Sequence, residues 1–129
     1  MRTLLIAFAC VFAVSTVNAK LLVTVVSPKT TGQKTVIKLK MKNTFPEKIE
    51  SARAQVFLHN DAGQVVGQSS QWVIGGTKEK PALLPDGVTT FNFVISSDKP
   101  FTKTKVIFSR VVLEGGKIAG PKEVEITEP

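Results

Sequence analysis

The sequence predicts an all-β protein: a single immunoglobulin-like β-sandwich of about seven antiparallel strands, behind a cleaved leader. Three observations carry this. Apolar residues alternate with polar ones at period two in several windows, as in strands with one buried face. Turn-forming Pro, Gly, Asn and Asp recur between those windows at the spacing of a sandwich. No window after the leader shows a convincing helical period. The length of 129 residues is a prior for one domain. With 43% hydrophobic and 21% charged residues, the balance is that of a globular chain rather than a disordered one.

The leader comes first. Met1-Arg2-Thr3 is a positive start, Leu4 to Val14 is an apolar run of 11 residues, and Val17-Asn18-Ala19 is a small-x-small cleavage pattern. Residues 1–19 therefore read as a secretory signal peptide cut at about Ala19/Lys20, leaving a domain of residues 20–129. The run is short of the roughly 20 residues that span a bilayer. Cys10 lies inside it, after the bulky Phe8 and before further apolar residues, so it reads as a passenger rather than a lipid anchor. The domain then has no cysteine and relies on its core without disulfides. The expected location is exported, periplasmic or extracellular, with no transmembrane segment in the mature chain.

The strands follow in order. Lys20 to Ser27 is rich in Leu and Val and stops at Pro28, which has no N–H to give a ladder. Thr30-Thr31-Gly32-Gln33 is turn-like. From Thr35 to Asn43, Ile37, Leu39 and Met41 face one way and Lys38, Lys40 and Lys42 the other. Asn43 to Glu47 breaks the pattern. Ala52, Ala54, Val56 and Leu58 then share a face against Arg53, Gln55 and Phe57. Asn60-Asp61-Ala62-Gly63 turns the chain into a hairpin with Gln64 to Ile74. Gly75-Gly76 ends that strand, and Pro85-Asp86-Gly87 is a further turn. Val88 to Ser96 sets Thr89, Phe91, Phe93 and Ile95 on one side. Lys103 to Leu113 is the next strand. Gly115-Gly116 opens its exit loop, Gly120-Pro121 closes it, and Lys122 to Thr127 is the last strand.

The middle of the chain has a recognisable cadence. Val36-Ile37-Lys38-Leu39-Lys40-Met41-Lys42-Asn43 is an alternating strand ending in Asn. Val56-Phe57-Leu58-His59-Asn60 leads through Ala62-Gly63-Gln64-Val65-Val66-Gly67 to Leu84-Pro85-Asp86-Gly87 and Phe91-Asn92-Phe93. Over about residues 36–95 this resembles the FxLYD family of exported bacterial domains, with Val56, His59 and Asn60 in place of the motif's Phe, Tyr and Asp. The resemblance implies a small Ig-like sandwich outside a bacterial membrane, and it carries over no catalytic residue.

Composition excludes much chemistry. One Cys, one His and no Tyr leave no Cys-ligated zinc site and no Cys/His nucleophile pair. There is no G-x-S-x-G around Ser69, Ser70, Ser96 or Ser97. Glu47 and Glu50 lack a cleft between them that would make them glycosidase carboxylates. Glu123, Glu125 and Glu128 read as a solvated face. His59 as a metal ligand or base would need a partner, and Asp61 falls in the turn, so it reads as a hairpin-end His.

The lysine stripe of Lys38, Lys40 and Lys42, repeated by Lys103 and Lys105, is the most visible surface feature. Loss of Arg2 takes the formal net charge from +7 to +6. The stripe reads first as edge-strand protection and second as a site for an anionic glycan, acidic lipid or acidic protein. Nucleic acid is not expected for an exported chain, and the aromatics do not interleave with the basic residues as a stacking platform would need. Trp72 reads first as a core residue and second as a sugar platform. The loop Gly75 to Pro85, with Lys78, Glu79 and Lys80, is long for a sandwich and is the best candidate recognition loop.

The expected function is a non-enzymatic interaction module that recognises an envelope or secreted protein through surface loops or an edge strand. The alternative is a module binding carbohydrate or an anionic envelope polymer through Trp72 and the lysine stripe. The candidate binding surface is Lys38, Lys40, Lys42, Trp72, Lys78 and Lys80. No catalytic or metal residue is assigned, and no cofactor is implied.

Overall fold

The computed structural model describes residues 19–77 and 81–129. The leader, Cys10, Lys78 and Lys80 lie outside the described residues, apart from Ala19 at the leader's end. The strands are β1 Leu21–Val25, β2 Lys29–Thr31, β3 Lys34–Asn43, β4 Ile49–His59, β5 Val65–Ile74, β6 Val88–Ser96, β7 Lys103–Leu113 and β8 Val124–Thr127. Single 3-10 turns at Glu114–Gly116 and Pro121–Glu123 flank the last crossing. The protein is an all-β sandwich of two sheets, as the alternation predicts.

In the first sheet β3 is central. Residues Lys34 to Lys42 pair with β6 on one side. On the other side, Leu39–Asn43 pair with β1 and Lys34–Val36 with β2. The segment between β1 and β2 contains Pro28, and Val26 N–H still reaches the Lys38 carbonyl at 2.9 Å. The turn expected over Thr30–Gln33 is therefore shorter. Gly32-Gln33 make it, and Thr30 and Thr31 belong to an eighth, three-residue strand.

The second sheet has the order β5-β4-β7, all antiparallel. The expectation of wholly antiparallel strands fails at one place. Residues Glu114 to Glu123 carry the chain from β7 across to the first sheet. There β8 runs parallel to β1, Leu21 beside Val124 and Val23 beside Ile126.

The core lies where the two inner faces meet. Leu21, Val23, Val25, Ile37, Leu39, Met41, Phe93 and Ile95 come from the first sheet. Ala52, Ala54, Val56, Leu58, Val106 and Val111 come from the second. Fully burying a side chain of Val, Leu or Phe size stabilises by roughly 1.5–3 kcal/mol, and this apolar layer holds the sheets together without a disulfide.

Among the described residues two polar side chains, Thr35 and Asn43, are buried with them. Asn43, at the end of β3, donates through Nδ2 to the carbonyls of Glu47 (2.9 Å) and Leu83 (3.0 Å), and its Oδ1 accepts the Phe45 N–H (2.8 Å). Its backbone accepts the Asp86 N–H and donates to the Gly87 carbonyl. The break at Asn43–Glu47 thus turns back onto the core and buries Phe45.

Three register shifts matter for the site. Ala52 pairs with Ile74 but Arg53 with Trp72, so Val73 is an extra residue on β5. Val66 is likewise extra between Gly67 and Val65, and Ser109 between Arg110 and Phe108. Such bulges reset which face the following residues occupy.

Candidate functional site

The lysine stripe lies on the solvent face of β3, with Lys38, Lys40 and Lys42 all exposed. Its first reading is corrected here. Edge protection requires an edge strand, and β3 is the most central strand of its sheet, whereas Lys103 and Lys105 do stand on an edge strand, β7. Across from the lysines stand Asn92, Thr90 and Val88 of β6. Thr24 and Leu22 of β1 flank Lys40 and Lys42 on the other side. No carboxylate faces them directly, and neither ion pair among the described residues involves them; those are Lys20–Glu125 at 3.2 Å and Lys117–Glu47 at 3.0 Å. Such exposed pairs are worth about 0–1 kcal/mol.

Trp72 is also corrected. The Val73 bulge separates it from Ile74, so Val73 and Ile74 are buried in the core while Trp72 shares the outer face of the second sheet with its partner Arg53. It is half-buried there rather than internal. The Arg53 guanidinium carbon sits 5.5 Å from the indole centroid, within cation–π range. Gly76 packs so close that a Cβ on it would lie 2.6 Å from Trp72 Cδ2. The indole is held between an arginine and a glycine, so it steadies Arg53 more than it offers an open platform. The substitution Gly76→Ala is expected to push the ring outward, red-shift the emission of this single tryptophan and cost about 1–3 kcal/mol in unfolding experiments.

Beyond residues 78–80, the recognition loop is tied to β4. Leu83 and Ile49 exchange two backbone hydrogen bonds of 2.9 Å, an isolated antiparallel bridge, and Leu83 is buried. His59 lies on the outer face of β4, beside Lys103 and Val65, with its ring 6.4 Å from that of Phe57. Asp61 is in the hairpin turn, where Asn60 Oδ1 accepts the N–H groups of Ala62 and Gln64. Among the described residues no cluster of His, Cys, Asp and Glu could hold a metal.

Two further features come from cross-strand register. The first is the outer face of the second sheet. Cross-strand neighbours share a face, so its rows read Trp72–Arg53–Arg110, Ser70–Gln55–Ile107, Gln68–Phe57–Lys105 and Val65–His59–Lys103. Aromatic and basic residues interleave here across the strands, although they do not along the chain. The second is a cleft of about 560 Å³ between β7 and β8, lined by Val106, Phe108, Val111, Ile118, Val124 and Ile126 among others. Beyond Val111 this edge of β7 is covered by the chain itself. Val112 bridges Ile118, and the Ala119 N–H donates to the Val111 carbonyl at 2.9 Å. From Lys103 to Arg110 no strand among the described residues pairs with that edge.

No protein-family model matches the chain, and no curated protein sequence matches it significantly. Among the solved structures that share its fold are three from bacterial and structural-genomics work. IrmA from Escherichia coli superposes with a TM-score of 0.54 at 10% identity, over 83% of this chain and 90% of that one. The putative ApaA protein from Bordetella pertussis gives 0.56 at 14% identity, over 78% and 86%. The structural-genomics target SoR45 gives 0.50 at 12% identity, over 78% and 76%. At such identities the likeness is one of fold. No helix among the described residues is long and apolar enough to cross a membrane.

Proposed function

We propose that this chain is an exported, non-enzymatic interaction module that takes up an extended segment of an envelope or secreted protein along the free edge of β7. The cleft between β7 and β8 carries the reading. A free strand edge presents unpaired N–H and C=O groups, and added strands bind by completing that ladder. Here the edge borders an apolar trough, so alternate side chains of an incoming strand can be buried as its backbone pairs. The chain's own segment at Ile118–Ala119 already uses the same edge in this way. The signal-like leader and the FxLYD-like cadence support the extracytoplasmic setting.

The experiment is capture of a partner from an envelope extract with high-salt washing, followed by amide hydrogen exchange on the complex. Expected is a partner that survives high salt and slows exchange in residues Lys103–Arg110. The substitution Ile118→Glu, at a position 56% exposed on the cleft wall, should weaken capture at least tenfold, because it puts a charge where apolar side chains dock. A partner lost at high salt, or protection confined to other strands, overturns the reading.

A further inference from the structure

Beyond strand uptake, we infer that the outer face of the β5-β4-β7 sheet is a binding site for an acidic polysaccharide. Arg53, Arg110, Lys103 and Lys105 occupy its rows, and no Asp or Glu stands in any of them. Arg53 and Arg110 are directly opposed across β4 and β7. Like charges directly opposite one another work against the sheet, and none of these four cations has an ion-pair partner among the described residues. Lys103 and Lys105 also lie on an edge strand, where lysines discourage pairing with other sheets, but the Arg53–Arg110 opposition does not serve the pairing of β4 with β7. The arrangement is complementary to a chain of regularly spaced anions.

The remaining residues of the face suit a sugar. Arg53 is steadied by the Trp72 ring at 5.5 Å, which fixes a planar guanidinium for two-point contact with a carboxylate. Between the basic rows is a hollow of about 280 Å³ lined by Gln55, Phe57, Gln68, Ser69 and Ser70. Ser70 Oγ is buried there without a hydrogen-bond partner. Amide and hydroxyl groups beside an aromatic ring match the hydroxyls and C–H face of a pyranose. From Arg53 to His59 the face is about 20 Å long at roughly 3.3 Å per residue, enough for several sugar units. The lysine stripe on the opposite side of the sandwich has cations but no aromatic residue in its cross-strand rows, Lys38–Asn92, Thr24–Lys40–Thr90 and Leu22–Lys42–Val88, and it serves as the internal control.

The test is a titration of the purified protein with polygalacturonate, dextran and duplex DNA at about 0.15 M salt, read by the emission of Trp72 and by salt-dependent elution. Expected is binding to polygalacturonate, none to dextran, and at least tenfold weaker binding to DNA. The Arg53→Gln/Arg110→Gln variant should bind polygalacturonate at least tenfold more weakly, while Lys38→Gln/Lys40→Gln/Lys42→Gln, which removes more charge, should change it less than twofold. Should the arginine variant fail to fold, Lys103→Gln/Lys105→Gln, at two exposed positions, tests the same face. Absence of binding overturns the inference. So does equal or stronger binding to DNA, or a greater loss from the lysine-stripe variant, either of which reduces the effect to general electrostatic attraction.

Discussion

Replacing Asn43 by Ala should destabilise the fold by about 3 kcal/mol, since each buried polar group left without a partner costs about 1–3 kcal/mol. In a domain of this size that lowers the unfolding midpoint by roughly 12 °C or more. The Phe45 N–H loses its acceptor, the Glu47 carbonyl loses its donor, and the Leu83 carbonyl keeps only the Ile49 N–H. The effect is concentrated because the Asn43 side chain fastens two separate segments, the Thr44–Glu47 turn and the bridge at Leu83, while its backbone bonds to Asp86 and Gly87 survive the substitution. The isosteric Asn43→Asp exchange separates hydrogen bonding from packing. It turns both donated bonds into contacts between oxygens and buries a carboxylate facing carbonyls. The fold then disfavours the ionised form, so the new carboxyl titrates above the unfolded value of about 3.9. Its penalty is smallest below that value and grows as pH rises towards the folded value. Denaturant titrations at pH 4 and pH 7 should show Asn43→Asp closer to wild type at the lower pH, with Asn43→Ala displaced equally at both. Equal displacement of Asn43→Asp at the two pH values would assign the role of Asn43 to packing alone.

How much of this was legible in the sequence follows from the range of each interaction. Alternation is local, so the inward set Ile37, Leu39 and Met41 and the outward set Lys38, Lys40 and Lys42 were readable from spacing, and both are as expected. Strand order is not local. Nothing within Thr35–Asn43 says that β6 will lie on one side and β1 and β2 on the other, so its lysines fit an edge strand equally well. The same limit hides the parallel pairing of β8, because Val124 and Ile126 alternate identically in either direction.

Trp72 was misplaced for a different reason. Counting by twos from Val66 puts Ser70, Trp72 and Ile74 on one face, and that count holds only without a bulge. The extra residues at Val66 and Val73 break it twice, and two adjacent apolar residues, Val73-Ile74, were the only local sign. The basic aromatic face shows the limit most clearly. Arg53, Phe57, Trp72, Lys105 and Arg110 come from three strands, and no one-dimensional pattern brings them together. His59 and Asp61 illustrate what stays local, since the Asn60-Asp61-Ala62-Gly63 turn keeps Asp61 off the strand that His59 ends, as the sequence predicts.

Gly75→Ala should be at least as damaging as the loss of Asn43, and much worse than Gly63→Ala. Both glycines have positive φ, +56° and +79°, where an L side chain costs about 1–2 kcal/mol. They differ in their surroundings. Around Gly63, at the tip of the β4–β5 hairpin, a Cβ would meet nothing within 4 Å. At Gly75 it would run into the Glu50 carbonyl oxygen, and Ser51 Cα stands behind at 3.1 Å from its position. These are backbone atoms, and rotating a side chain cannot clear them. The nearest strand pairs are Ala52–Ile74 and the Ile49–Leu83 bridge, so moving Glu50 aside disturbs both a sheet register and a buried core contact. We expect Gly63→Ala to lose about 1 kcal/mol and Gly75→Ala to lose more than about 3 kcal/mol by denaturant unfolding. Gly75→Ala should also speed amide exchange at Ile49 and Leu83, whose mutual hydrogen bonds are the first to open if Glu50 shifts. Similar losses for the two glycines would mean that only backbone conformation matters at Gly75, and that the close approach to Glu50 is relieved at no cost.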